Sequence, residues 1–224
     1  MDAVDQRHMA LLIQDGAHGE ALALLERAFE HAERHVATIR NDLFMTMLQW
    51  KMLAEDYPPA RVALRHLRDK QAERLCAGEQ YVGLPGEQSD EEFGLPRRFS
   101  ILVDINETLG EPQSTCEVFS ALLRDHPALA RRNASAALPA LVEAGQFALA
   151  DQYRGEPLEM LAVVNQNART LALMPPHGAP RLAAELMNLV DDVRFGCAVL
   201  TGLARATRPM RCSKHSCPGS LRTN

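Results

Sequence analysis

The stretch "NETLGEPQSTCEVFSALLRDHP", residues 106–127, decides how the chain is read. Gly110 stands where a helix should end, because glycine takes the left-handed conformation of a helix terminus without penalty. Pro112 stands where the next helix should begin, since its fixed φ suits the first turn. Phe119 follows nine residues after the glycine, Leu122 twelve and Pro127 seventeen. The question is whether this is one ordinary hairpin or one copy of a repeated one.

The next helix-ending glycine is Gly145, thirty-five residues after Gly110. Arg97 and Arg132 lie thirteen residues before their glycines, and Ser100 and Ser135 lie ten before. Thr115 and Ala150 lie five after, at a position that faces the paired helix and must stay small. A hairpin that cannot bury its apolar face alone stacks on copies of itself, and a fixed period is the mark of that arrangement.

Helical periodicity runs through the rest of the chain. Leu22, Leu25, Phe29, Ala32 and Val36 recur at spacings of three and four. Similar runs cover 38–55, 59–77, 98–109, 112–125, 128–144 and 181–206, with a shorter one at 157–171. Pro58, Pro59, Pro112, Pro157 and Pro180 mark helix starts; Gly16, Gly78, Gly110, Gly145 and Gly155 mark stops. "FSILVDI" at 99–105 has the composition of a strand, but its helical stripe and helical context place it in a helix. The expected fold is all-α: N-terminal helical hairpins over 1–77, a long irregular loop over 78–97, hairpins and a long last helix over 98–206, and a basic tail over 207–224.

The pattern resembles the tetratricopeptide repeat, a helix-turn-helix unit of 34 residues. Over 97–130 the matching positions are Gly110, Thr115, Phe119, Leu122 and Pro127, with Thr and Leu in place of the usual alanines. Gly16, Ala21, Leu25 and Ala28 fall at the same offsets, and Trp50, Leu53, Ala54 and Tyr57 have the spacing of the family's first helix. Pro139 is expected to kink or restart a helix in the 131–164 unit. The resemblance implies a right-handed array of antiparallel, degenerate hairpins over about 1–165, with a concave groove that grips a peptide. On that register Arg97, Ser100, Asp104, Arg132, Asn133 and Ser135 project from first-helix sites toward the groove. Two arginines one repeat apart suit carboxylates, which a guanidinium holds bidentately.

Bulk composition narrows the alternatives. The chain has 224 residues, 46% hydrophobic and 24% charged, but only 5% aromatic, which suits close-packed helices of Ala and Leu. A net charge of −5 argues against nucleic acid as a partner, because phosphate binding needs a basic field. The five scattered cysteines read as reduced thiols, pointing to a cytoplasmic protein. "LMNLVDDVRFGCAVLTGLA" is apolar but carries Asp191, Asp192 and Arg194, so no membrane span is expected.

No GxSxG, P-loop or GxGxxG pattern is present. His31 and His35 are four apart, yet "HAERH" misplaces the glutamate of a zinc protease. "CSKHSC" at 212–217 has too few ligands for a closed zinc site. No metal and no cofactor are therefore expected. The expectation is a non-enzymatic protein-binding scaffold. Two rivals remain: a small-ligand binder or enzyme with the 78–97 loop as a lid, and a self-associating helical regulator that dimerises through 181–206.

Overall fold

The computed structural model describes residues 3–35, 38–83 and 95–206. They are all-helical, with no strand among the described residues beyond an isolated bridge between Tyr81 and Arg97. The chain divides into two compact units, residues 1–154 and 155–224. The first contains α1 (Ala3–Gln14), α2 (His18–Ala32), α3 (Ile39–Asp56), α4 (Pro58–Cys76), α5 (Arg98–Leu109), α6 (Pro112–Asp125), α7 (Pro127–Glu143) and α8 (Phe147–Asp151). The second contains α9 (Pro157–Asn167) and α10 (Arg181–Ala206).

Three of the turns in the first unit match in φ and bonding, and the Gly78 turn makes the same bond pair at φ 96°. Gly16, Gly110 and Gly145 have φ of 72°, 71° and 72°, a region in which a side chain would be strained. Each glycine N–H bonds the carbonyl three residues back, at 3.1, 3.2 and 3.1 Å. The next N–H in each case reaches the carbonyl five residues back, from Ala17 to Leu12, Glu111 to Asn106 and Gln146 to Leu141, at 2.8, 2.9 and 2.8 Å. This pair of bonds satisfies the last orphan carbonyls of a helix and turns the chain at once into the next one. Ala21, Thr115 and Ala150, each five residues past its glycine, are all buried.

Packing follows chain order. α2 lies on α3, α4 on α5 and α6 on α7, while α5 also reaches α7 and α4 reaches α6. The core joins Leu25 and Phe29 of α2, Leu43 and Trp50 of α3, Leu64 of α4 and Ile105 of α5. Trp50 is held in place by its indole N–H, which donates to the Ala60 carbonyl at 3.2 Å. Between α3 and α4 only Tyr57 intervenes. Its extended φ and ψ of −123° and 97° are those a residue before proline prefers.

Three expectations need correction. Pro139 does not restart the helix: α7 runs through it from Pro127 to Glu143. The second helix after Gly145 is only five residues long, so 131–164 is not a full hairpin. Gly155 does not end a helix. Its role is spacing, since a Cβ there would lie 2.9 Å from Oδ2 of Asp192 on α10.

A row of arginines on α4 secures the α5–α6 turn. Arg61 donates to the carbonyls of Thr108 and Leu109 at 3.3 and 2.6 Å, supplying positive charge at a helix C-terminus. Arg65 donates to Glu111 at 2.7 Å, and Arg68 bonds its other carboxylate oxygen. Burial raises the affinity of Glu111 for a proton, but the two guanidiniums outweigh it and hold its pKa below the ordinary 4.5. A depressed carboxyl stabilises the fold above its unfolded pKa and loses that contribution as pH falls through the folded value. Glu111→Gln is therefore expected to cost roughly 1–2 kcal/mol at neutral pH. Urea unfolding at pH 7 and pH 3 checks this: the gap to wild type closes at the acid end, and a gap independent of pH refutes the network.

Candidate functional site

α3 and α5 enclose a groove of about 680 Å³ in the first unit. α3 contributes Arg40, Phe44, Met47, Leu48 and Lys51, at helical spacings along one face. α5 and its N-cap contribute Arg97, Ser100, Ile101, Asp104, Glu107 and Thr108 at the same spacings. Tyr81, Leu95 and Pro96 line it from the connection between α4 and α5. That connection is clasped by two backbone bonds, Val82 N–H to the Pro96 carbonyl and Arg98 N–H to the Gln80 carbonyl, both 2.9 Å. Residues 84–94, the middle of the expected lid, lie outside the described residues.

The α3 wall of the groove is largely apolar, and the α5 wall is largely polar and charged. Phe44 and Leu48 are 64% and 42% exposed, although their neighbours Leu43 and Trp50 are buried in the core. Arg40, Lys51 and Arg97 bring positive charge, and Asp104 and Glu107 bring negative charge. Desolvation in the concavity, and then the nearby charge of Glu107, push the Asp104 carboxyl above its ordinary range; Lys51 opposes them.

Of the six residues singled out from sequence, Arg97, Ser100 and Asp104 line this groove. Arg132 sits beside it: the Arg97 guanidinium donates to the Arg132 carbonyl, and that of Arg132 to Gln80, both at 3.3 Å. Asn133 is buried and donates to the Leu129 carbonyl at 2.9 Å, so it is out of a partner's reach. Ser135 is exposed on α7, outside the groove lining. Sequence reading missed the α3 wall. Its signal was a second apolar stripe, Phe44, Leu48 and Met52, four apart beside the core stripe.

The other candidate chemistry does not assemble. His31 and His35 stack ring on ring, centroids 3.8 Å apart. Among the described residues no cluster of three or more His, Cys, Asp or Glu is placed to hold a metal. Cys212, His215 and Cys217 lie outside the described residues. Among the described residues no helix is long and apolar enough to cross a membrane. Comparison with protein-family models, curated proteins and solved structures finds no match to this chain.

Proposed function

We propose that the chain is a non-catalytic protein-interaction scaffold, a degenerate tetratricopeptide-like array that grips a peptide segment of a partner between α3 and α5. The observation that carries this reading is the groove itself, with its exposed Phe44 and Leu48 bordered by Arg40, Lys51 and Arg97. Exposed large apolar side chains set in a concavity and rimmed by charge are the features of a binding surface. The three matching glycine turns, each followed by a buried small residue, support the repeat.

The partner segment this lining suits has apolar anchors for the α3 wall and an acidic group for Arg97 or Lys51. Selection from a random phage-displayed peptide library tests it. Peptides of that character are expected, and Phe44→Ala with Arg97→Ala is expected to weaken them at least tenfold while the melting curve holds. A double variant that binds as wild type does refutes the groove reading. The volume also falls within the roughly 300–1,000 Å³ of small-molecule sites, and Asp104 is partly desolvated there. A library that yields no peptide directs attention to that second reading.

A further inference from the structure

The second unit is a two-helix hairpin with more apolar surface than two helices can bury. Pro157 approaches Gly196, and Asn167 donates to Glu185 at 2.8 and 3.0 Å, so α9 doubles back along one face of α10. That face is a seam of its own: Leu182, Gly196 and Val199 are buried on it. Of the fifteen large hydrophobic residues exposed among the described residues, ten lie beyond residue 155. Five of those are on α10: Leu186, Met187, Val190, Val193 and Leu200.

Their spacing is specific. Leu186, Val190, Val193, Cys197 and Leu200 alternate by four and three, and the register extends back to Ala183 and on to Ala204. Cys197 is exposed and unbridged. A period of 3.5 residues sustained for three heptads is the requirement for knobs-into-holes pairing with another helix. That spacing presents one continuous face that another helix can cover. We infer that a second copy of this chain docks along this stripe, α10 against α10.

The stripe is complementary to itself when reversed about the point between Asp191 and Asp192. Leu186 then meets Cys197 of the second copy, Val190 meets Val193, and Ala183 meets Leu200, so large residues face small ones and valines face each other. The flanking charges do not oppose this. Arg194 and Asp191 pair within the helix at 3.3 Å, and in the reversed register Arg194 passes over Met187 rather than another cation. Twenty-six residues make a helix about 39 Å long and, with side chains, about 10 Å wide. A strip of that size covers roughly 390 Å² on each copy, about half of the roughly 800 Å² per partner of a standard interface, so the pairing is expected to depend on concentration.

Sedimentation equilibrium of the full chain tests the inference. A dimer is expected at ~100 µM, where one with a Kd of about 1 µM is fully formed. Val190→Glu with Val193→Glu should yield a monomer with unchanged helicity and unchanged peptide binding. A wild-type monomer overturns the proposal, as does a dimer that survives the double substitution. Loss of folding in the double variant is met by a second measurement. In a chain with Cys76, Cys212 and Cys217 changed to Ser, Leu186→Cys should cross-link to Cys197 of the second copy with a short bismaleimide. Absence of the covalent dimer there overturns the reversed seam.

Discussion

Phe119→Ala is expected to cost about 3–5 kcal/mol of unfolding free energy. The ring is fully buried on α6, nine residues past the turn glycine Gly110. It meets Tyr153 edge to face, with centroids 5.5 Å apart at 85°, and Phe99 at 6.2 Å. Truncation removes both aromatic contacts and leaves a void that α5 and α6, pinned together at the Gly110 turn, cannot close. Domains are stable by only about 5–15 kcal/mol, so the loss is a large share of the whole. Urea denaturation of the variant measures it. A change below about 0.5 kcal/mol, normal for surface positions, would mean that Phe119 is not where the fold puts it.

Arg98→Ala is expected to do comparable damage, about 3–5 kcal/mol, for a different reason. Arg98 is fully buried at the start of α5. It donates to the Glu79 carbonyl at 3.0 Å, the Tyr81 carbonyl at 2.7 Å and the Glu79 carboxylate at 3.2 Å, and it bonds Gln71 as well. Glu33, just past the end of α2, lies 3.7 Å away. Burial and then the charge of Arg74 lower its pKa, while Glu79 and Glu33 work the other way. Removing the guanidinium takes this donor from the Gln71 side chain on α4 and from the Glu79 and Tyr81 carbonyls of the connection, while Glu33 and the Glu79 carboxylate keep Arg74. Arg98→Lys should recover little, because a single ammonium cannot reproduce a planar fork of donors. Thermal melts of both variants decide it: near wild-type stability in Arg98→Lys would show that charge alone suffices.

Adjacent Arg97 and Arg98 show where reading the sequence ends. The spacing to Arg132 draws attention to Arg97, which lies exposed on the groove. Nothing in the pattern marks Arg98, since an arginine pair at a helix start reads as solvated. Its burial depends on Gln71 and Glu33, twenty-seven and sixty-five residues away, which no local period connects to it. The helices themselves were legible because the 3.6-residue stripe, the prolines and the glycines agree. Where those signals thin, expectation fails: Pro139 is absorbed within α7, and Gly155 ends no helix. The groove was half legible. The α5 wall came from repeat register, whereas the α3 wall needed the knowledge that one of two apolar stripes stays uncovered.

The clasp between Val82 and Pro96 has a consequence for the start of α5. Bringing the ends of a chain segment together costs entropy that grows only with the logarithm of its length, roughly 0.6 kcal/mol for each doubling. Here the ends are joined by two backbone bonds and by the Arg98 fork, all made outside residues 84–94. These contacts hold the junction from its two ends. The start of α5 is thereby fixed by bonds at Gln80, Val82, Pro96 and Arg98.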